Sequence, residues 1–586
     1  MRTFNFDTPI YGNRTSRLRR AANATQYASM AARFRAFQRS AGIREAQENA
    51  LQDDDILQST YNDMPTPDRS EHIEDESDAN ESNQDIECPW VNLYADVTNP
   101  IDQVLQSRIE QHRREAAQFN LRSIDETLHP TFMALKYRTQ NWTGPDADHS
   151  FVNCRCLPHT LIKRFVDTVD IMDGKCLSGY VVGSPVQPQT AFSMRLMIFH
   201  NDLWNHCHIG TMPFVEALRE WLEPRSERLC VKNKNHARDL RKPFLVAVDL
   251  YCRLNDMTES LVMAALKLNK QQKLAAVACP ACFGPTPPNS EQYPEITRNR
   301  LIICLDGNFQ HRHHTKASCE EVIRTPRIFL EQSEVDSMLA DIRLAEIRHK
   351  PSAQASTADD LRNESTWKGC DDTGLMGCCC RHDAAIYLAN IHKSGEQRSL
   401  PCALINRIIQ AIEPNRSVGI LYDIGCLLNK FIKLRGLFEE DQGCIQFATS
   451  IFHAYVHNWL CQLDYNPRYN RGWGLSDGEG LERMWSYMAP LVSPLRYATR
   501  NHRLAAIAHR LKYHNQRGIN NLPLWLRRKF SNAVNRRLET RVELADLLNM
   551  RNPHCKDGRN YKTGFFMRQW RKQRRFQLKH TEEDND

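Results

Sequence analysis

Two short hydrophobic runs, each ending in an aspartate, constrain the fold of this chain most strongly. They are Leu301-Ile-Ile-Cys-Leu-Asp306 and Val418-Gly-Ile-Leu-Tyr-Asp423. Short continuous apolar runs of this kind are typical of strands buried on both faces of a sheet in an α/β protein. We therefore predict a central sheet in which two strands each carry an aspartate at the tip, so that both acids contribute to one site.

Helical patterns surround the two predicted strands. The segment that follows Ser476, DGEGLERMWSYMAPLV, is predicted to be helical, with Ser476 or Asp477 as its N-cap. Further helices are predicted at 214–222, 257–277, 331–350, 381–390 and 443–463. The expected fold class is α/β, with α-rich flanking regions.

At 586 residues the chain is too long for one hydrophobic core, and its composition changes along its length. Residues 1–86 end in an acidic stretch poor in large apolar residues, which predicts a disordered tail. We expect a first folded module at 87–242, the α/β unit at 243–495 and a basic helical region at 496–586. The sequence shows neither a secretory signal nor an apolar run of membrane-spanning length, so we expect a soluble intracellular protein without membrane contact.

The paired aspartates suggest metal-dependent phosphodiester chemistry. Such chemistry uses two divalent ions about 3.5–4 Å apart, and Mg²⁺ prefers carboxylate oxygens. Asp306 and Asp423, joined by a glutamate from a following helix, would supply the ligands, and we expect their carboxylate oxygens to lie within about 5 Å of each other. Aspartates at strand ends are also common as turn residues and helix caps, and the residues alone leave that alternative open.

The chain has 20 cysteines, and many lie close to histidines in the sequence, which suits zinc better than disulfides in a reducing compartment. One group of candidate ligands is Cys279, Cys282, Cys378, Cys379, Cys380 and His382. A second group is His453, His457 and Cys461, which would share one face of the predicted helix and bind zinc, or place a histidine on the scissile phosphate. Buried cysteines and core histidines on an amphipathic helix are the alternative.

The net charge of +7 is unevenly distributed, because Arg and Lys crowd the region after Arg496. A basic region of this kind suggests a polyanionic partner. The residues predicted to contact DNA phosphates are Arg527, Arg528, Lys529, Arg571, Lys572, Arg574 and Arg575, with Trp570 and Phe576 available for stacking. A solvated helix face or a nuclear-import signal would have the same composition.

Several motifs occur together in one order and resemble a known family. They include Cys279-Pro-Ala-Cys282, Asp306-Gly-Asn, GCCCRHD at 377–383, Tyr422-Asp-Ile-Gly-Cys426, and the long run FHAYVHNWLCQLDYNPRYNRGWGLSDGEGLERMWS at 452–486. This set resembles the Kyakuja-Dileera-Zisupton (KDZ) transposases, which are DDE transposases frequent in fungi, over about 279–513. Upstream, residues 154–207 resemble the cysteine-cluster domain that accompanies these transposases, although only the pair Cys154 and Cys156 stands where a fuller zinc-like cluster is usual.

The resemblance implies an RNase H-like core, with Asp306 as the first acid and Asp423 as the second. Glu482 would be the third, with Glu479 as the alternate, because Glu482-Arg-Met-Trp-Ser486 resembles the corresponding string of the related hAT transposases. It further implies Mg²⁺ or Mn²⁺, double-stranded DNA as transposon end and target, a nuclear location, and a homo-oligomer when active. The alternative function is a catalytically inactive, transposon-derived nuclear protein that binds DNA or protein.

Overall fold

The computed structural model describes residues 100–142, 166–170, 179–183, 189–231, 235–317, 322, 324–349, 369–555 and 557–583. The predicted tail at 1–86 and the pair Cys154 and Cys156 lie outside the described residues. Within the described ranges, no helix combines the length and apolar character needed to cross a membrane.

The upstream part of the chain packs helices around a small three-stranded sheet. Its elements are α1 (Pro100–Arg138), β1 (Asp167–Val169), β2 (Tyr180–Val182), β3 (Thr190–Ser193), α2 (Met194–Cys207), α3 (Thr211–Leu222) and α4 (Arg241–Ala265). Strand β3 pairs parallel to β1 and antiparallel to β2. Phe132, Phe192, Phe214 and Phe244 meet in its core. Helix α4 begins next to the expected boundary at 243, and its buried side chains belong to this core.

The second and larger sheet lies between two sets of helices. Its region contains α5 (Lys270–Val277), α6 (Pro280–Phe283), β4 (Leu301–Asn308), β5 (His313–His314), α7 (Gln332–His349), β6 (Cys370–Cys380), β7 (Ala385–His392), α8 (Ser399–Ile409), β8 (Val418–Tyr422), α9 (Gly425–Leu434) and β9 (Ile445–Ala448). After it come α10 (Ile451–Ala454), α11 (Trp459–Tyr465), α12 (Gly480–Met488), α13 (Val492–Arg496), α14 (Arg500–Asn549) and α15 (Thr563–Glu583). The expected α/β class is confirmed.

Strand pairing makes this a mixed sheet. Strands β4, β8 and β9 run parallel, whereas β6 is antiparallel to β4, β5 and β7. Asp372 on β6 pairs with His313 of β5 on one side and with His392 of β7 on the other. Strands β4 and β5 therefore pair with the same edge of β6, and β7 pairs with its opposite edge. The two aspartate-bearing segments therefore lie on adjacent parallel strands in the middle of the sheet.

Side chains on the two faces of the sheet enter different cores. On one face, Leu301, Ile303 and Leu305 pack with buried residues of α7, α8 and α9. On the other face, Ile302 and Cys304 pack with buried residues of α12 and α14. Since successive side chains of a strand alternate between faces, Asp306 continues the second face.

Buried ion pairs join the first turns of α14 to the sheet. The guanidinium of Arg503 is 1% exposed and lies 3.0 Å from the carboxylate of Asp372, which is fully buried. Arg503 also donates to the carbonyl of His311 at 2.8 Å. Removing one partner of such a pair leaves an uncompensated buried charge, so this contact fixes the start of α14 on the sheet.

Several helix predictions are confirmed and three need correction. The helix predicted at 214–222 is part of α3, and the helix predicted at 331–350 is present over Gln332–His349 as α7. The helix predicted at 257–277 is two helices, because Asn269 and Gln272 form a capping box that begins α5. The segment 381–390 is not helical, since a turn with Asp383 at a φ of 63° leads into strand β7.

The third correction concerns 443–463. This stretch is not one helix: it contains β9, α10 and α11, and β9 pairs with β8. The side chain of Asn458 accepts a hydrogen bond from the backbone N–H of Cys461, which begins α11 as a new helix. Tertiary strand pairing and this cap override the helical periodicity of the sequence.

Gly377 on β6 allows α12 to approach the sheet. A Cβ at this position would lie 2.8 Å from the ring of Trp485 and 2.9 Å from Leu481, both on α12. Gly377 pairs with Asp306 on β4, so the closest approach of α12 is opposite that aspartate.

We expect Gly377→Ala to lower the free energy of unfolding by about 1–3 kcal/mol, because the added methyl group forces α12 away from the sheet. Gly443→Ala is the matched control, since a Cβ there would meet nothing within 4 Å. Urea denaturation of both variants measures the difference. Equal stability of the two variants would show that α12 is not held against Gly377.

Candidate active site and metal centres

Asp306 and Asp423 lie side by side on one face of the sheet. Leu305 pairs with Tyr422 in the parallel ladder of β4 and β8, so the two aspartates follow at the same level. Adjacent strands are about 4.8 Å apart. Strand β4 continues to Asn308, so Asp306 lies within the strand and not at its tip as expected, whereas Asp423 directly follows β8. The structure thus brings together the two acids that the sequence singled out.

Hydrogen bonds orient both carboxylates. The indole Nε1 of Trp485 donates to Oδ2 of Asp306 at 2.7 Å. The hydroxyl of Ser450 donates to Oδ1 of Asp423. The ring Nδ1 of His453 lies 2.7 Å from Oδ2 of Asp423. Two segments therefore hold the aspartates in place, α12 with Trp485 and the start of α10 with Ser450 and His453, and no sequence pattern indicated that the last two residues contact Asp423.

Helix α12 carries both candidate glutamates at its beginning. It begins at Gly480 with Glu479 as the N-cap residue, not Ser476 or Asp477 as expected, so Glu482 lies in its first turn. The side chain of Asp477 instead accepts from the backbone N–H of Glu479 at 3.1 Å. Trp485 on this helix is buried.

The two glutamates face different parts of the site. The carboxylate of Glu479 accepts from the backbone N–H of Phe452 at 3.1 Å. It is also close enough to His453 and Asp423 for both to affect its pKa, which burial raises. The charge of Glu482 instead acts on Asp306. Glu482 is exposed to solvent.

Negative charge accumulates at Asp306. Burial raises the pKa of this carboxyl to about 7, and the neighbouring carboxylates of Asp423, Glu482 and Glu396 add to the effect. Hydrogen bonding to Asp423 raises the pKa of His453. Close carboxylates repel one another when all are ionised, and a divalent cation would neutralise their combined charge. The donor set therefore fits Mg²⁺ or Mn²⁺.

Asp306 should destabilise the metal-free protein as the pH rises. Its pKa in the folded protein, about 7, is above the value of about 4 in an unfolded chain, so the folded state binds the proton more tightly. Stability from this group is present below pH ~4 and is lost as the pH rises to ~7. We expect Asp306→Asn to raise the melting temperature at pH 8 without divalent cations, and to change it little at pH 4.

Asp546→Asn serves as the control for this measurement, because Asp546 is exposed on α14. Added Mg²⁺ should raise the melting temperature of the wild type at pH 8 more than that of Asp306→Asn. Lower stability of Asp306→Asn at pH 8 would contradict the accumulation of charge at this position.

A further buried acid, Glu396, was not predicted from the sequence. It accepts a hydrogen bond from the hydroxyl of Tyr422 at 2.5 Å, and burial raises its pKa. A Cβ on Gly307 would lie 3.0 Å from its carboxyl carbon. Glu396 therefore lies against the face of β4 opposite to the side chain of Asp306. It adds negative charge near Asp306 but is not placed as a metal ligand beside it.

Four candidate zinc ligands assemble at one end of the sheet. Cys279, Cys282, Cys380 and His382 offer donor atoms that all lie within 4.8 Å of one another. Nδ1 of His382 is 3.1 Å from the sulfur of Cys282 and 3.5 Å from that of Cys279. Hydrogen bonds from Cys282 and Cys380 hold the pKa of Cys279 well below its usual range. Three thiols and one imidazole could hold a metal such as zinc in a closed structural site.

The second half of this cluster comes from the strand β6 and the turn after it. Cys380 and His382 were already candidate ligands, but the two halves are about a hundred residues apart, so spacing did not indicate which candidates meet in the folded sheet. Cys378 and Cys379, which were also candidate ligands, are not part of the cluster. Both are buried in the two hydrophobic cores, Cys378 on one face and Cys379 on the other.

The second group of candidate ligands is rearranged. Because 443–463 is not one helix, His453, His457 and Cys461 do not share a helical face. His453 contacts Asp423, whereas His457 and Cys461 join Cys426, a residue that was not predicted as a ligand. The only signal for Cys426 was its place in the Tyr422-Asp-Ile-Gly-Cys426 motif.

The basic residues predicted to contact DNA lie on α14 and α15. Arg527, Lys529, Arg571, Lys572 and Arg575 are exposed, and Arg528 is half-buried. Arg574 forms an ion pair with Asp464 on α11, and the ring of Trp570 lies 5.6 Å from that of Tyr469. Arg574 and Trp570 therefore hold α15 in place and are less available for nucleic acid, whereas Phe576 is 64% exposed.

Fold and site together define an α/β protein with paired aspartates in the middle of a mixed sheet and a cysteine–histidine cluster that could bind metal. Residues 299–515 match the family model of the Kyakuja-Dileera-Zisupton transposases, and residues 176–227 match the model of the CxC1-like cysteine cluster associated with KDZ transposases. Residues 299–515 are therefore similar to a KDZ transposase domain, and a region similar to the CxC1-like cysteine cluster lies upstream, which confirms the resemblance. No curated protein and no solved structure matches the chain significantly.

Proposed function

We propose that this protein is a DDE-type DNA transposase that cleaves and joins DNA strands with Asp306, Asp423 and Glu482. The observation that carries the proposal is the placement of Asp306 on β4 and of Asp423 directly after the adjacent parallel strand β8, on the face covered by the helix of Glu482. A KDZ transposase domain acts on DNA, and the site lies within the matched residues.

The arrangement agrees with an RNase H-like core. The first acid lies on the first strand of the larger sheet, the second follows a later strand, and the glutamate comes from a helix beyond the sheet. Helices cover both faces of this mixed sheet.

Asp306, Asp423 and Glu482 would hold Mg²⁺ or Mn²⁺. The bound cations would activate the attacking oxygen and stabilise the leaving oxygen of an in-line displacement. Trp485, Ser450 and His453 keep the aspartates oriented toward that position. The reaction is hydrolysis at a transposon end, followed by attack of the freed 3′-hydroxyl on target DNA, and the expected location is the nucleus.

The test uses purified full-length protein and duplexes made from the genomic DNA that flanks its coding sequence. We expect cleavage with a free 3′-hydroxyl end and subsequent joining to a target duplex in Mg²⁺ or Mn²⁺, and neither reaction in EDTA. Cleavage that continues in EDTA would contradict a carboxylate metal site. DNA binding without cleavage under all these conditions would favour the inactive, DNA-binding alternative.

Basic helices would supply most of the DNA affinity. Arg571, Lys572 and Arg575 are exposed on α15, whereas Arg574 is paired. Each phosphate contact releases counterions and adds about 0.9 to the slope of log affinity against log salt concentration. Replacing these three residues with Gln should therefore flatten the slope by about 2–3, measured by fluorescence anisotropy on duplex DNA.

The control is a triple variant in which Gln replaces Lys267, Lys270 and Lys273. It removes the same amount of charge from exposed positions in another region. Its salt slope should remain that of the wild type. Equal slopes for the two triple variants would leave α15 with a docking or nuclear-import role only.

We also propose that the active form is a homo-oligomer. The C-terminal half of α14 exposes apolar side chains at intervals of about one helical turn, including Phe530 (72%), Leu538 (55%) and Val542 (63%). Such a face supports self-association, since soluble chains rarely leave long apolar faces uncovered.

A further inference from the structure

A second group of metal ligands lies beside the aspartates. Cys426, His457 and Cys461 offer donor atoms that lie within 4.8 Å of one another. The sulfur of Cys426 is 3.4 Å from Nδ1 of His457. The two cysteines are buried, 1% and 8% exposed, and the histidine is half-buried.

Two chain segments converge to make this group. Cys426 is in the first turn of α9, His457 lies between α10 and α11, and Cys461 is in the first turn of α11. Hydrophobic packing accounts for a buried cysteine alone, as with Cys402 on α8. It does not account for two thiols and an imidazole nitrogen turned toward one point.

The donor types select the ion. Thiolates and imidazole suit zinc, whereas Mg²⁺ prefers oxygen ligands. Among the residues that the structure describes, no fourth His, Cys, Asp or Glu joins the group, in contrast to the four-ligand cluster around His382. Three protein ligands leave one position for water, which the half-buried His457 makes reachable from solvent.

The location of the group suggests what the ion does. Cys426 follows Asp423 closely in the chain, in the first turn of α9, and His457 likewise closely follows His453, the partner of Asp423. An ion bound by all three ligands would tie the first turn of α9 to the loop between α10 and α11. That loop is continuous with the segment that presents Ser450 and His453 to Asp423.

We propose that Cys426, His457 and Cys461 bind one Zn²⁺ ion, and that this ion holds the His453 segment against Asp423. The zinc binding stands on the ligand geometry alone. The positioning role rests on the proposed function, because it assigns His453 and Asp423 to the carboxylate metal site.

The first test is the zinc content of full-length protein purified without added chelator. Cys461→Ala and His457→Ala should each lose about one equivalent of zinc relative to the wild type, and Cys279→Ala should lose the other equivalent, from the four-ligand cluster. Cys402→Ala, a buried cysteine outside both groups, should lose none. Wild-type zinc content in both Cys461→Ala and His457→Ala would overturn the site.

A second measurement avoids variants that fail to fold. Co²⁺ added to metal-free wild-type protein should give thiolate-to-cobalt absorption that saturates at two equivalents. Saturation at one equivalent would overturn the proposal. After denaturation without reductant, an alkylating reagent should label both Cys426 and Cys461. A disulfide between these two cysteines would protect both from the reagent and would also overturn the proposal.

The positioning role is tested by the affinity of the carboxylate site for Mn²⁺, which electron paramagnetic resonance measures in the absence of DNA. Cys461→Ala should weaken this affinity by about tenfold or more, as expected when a residue that orients a metal ligand is released. Cys402→Ala should leave it unchanged. Loss of zinc with unaltered Mn²⁺ affinity would refute the positioning role, and absence of DNA cleavage in a zinc-loaded wild type would refute only the transposase function.

Discussion

Replacing Asp306 or Asp423 with asparagine should abolish DNA strand cleavage while leaving the fold and DNA binding nearly intact. Each substitution removes one anionic ligand from the proposed metal site. Metal-ion stabilisation of a displacement transition state amounts to several kcal/mol, so the rate should fall by about a thousandfold or more. The measurement is a single-turnover cleavage assay on a transposon-end duplex in Mg²⁺.

Two controls make the loss of cleavage interpretable. Circular dichroism and anisotropy should show wild-type folding and DNA affinity, because the exposed basic residues of α14 and α15 remain. Asp546→Asn, an exposed aspartate on α14, should cleave at the wild-type rate. Cleavage by Asp306→Asn or Asp423→Asn within a few-fold of wild type would show that these aspartates do not hold the catalytic ion.

The second large effect concerns the glutamates of α12. We expect Glu482→Gln to lose cleavage nearly as completely as the aspartate variants, and Glu479→Gln to retain a substantial part of it. The charge of Glu482 acts on Asp306, and its side chain is exposed on the same helix as Trp485, the hydrogen-bond partner of Asp306. Glu479, in contrast, is engaged with the backbone N–H of Phe452.

Helix capping does not distinguish the two glutamates, because α12 begins at Gly480 with Glu479 as N-cap. Both residues therefore lie near the helix N-terminus, and the choice depends on the contacts alone. Parallel cleavage assays of the two glutamine variants decide it. Loss of cleavage in Glu479→Gln with Glu482→Gln active would transfer the third position to Glu479.

Much of the fold could be predicted from local sequence. The hydrophobic runs at Leu301 and Val418 indicated the two central strands because continuous apolar residues need burial on both faces. The helical patterns at 214–222 and 331–350 were equally direct. The two aspartates could be chosen because they ended these runs and matched the motifs of one family.

What could not be predicted depended on contacts between distant segments. The run 443–463 has helical periodicity, yet β9 forms because the edge of β8 is available to it. The contacts of Ser450 and His453 with Asp423, and the union of Cys426 with His457 and Cys461, follow from that change. In the same way, Cys279 and Cys282 meet Cys380 and His382 only in the folded protein, at the end of β6.

The central claim is that Asp306 and Asp423 bind the divalent ion that cleaves DNA, and exchanging their oxygen for sulfur tests it most directly. A thiolate is a poor ligand for Mg²⁺ and a better one for softer ions, so Asp306→Cys and Asp423→Cys should lose cleavage in Mg²⁺ and regain it in Mn²⁺. The asparagine variants should stay inactive in both ions. Cleavage by both cysteine variants in Mg²⁺ at the wild-type rate would contradict the account.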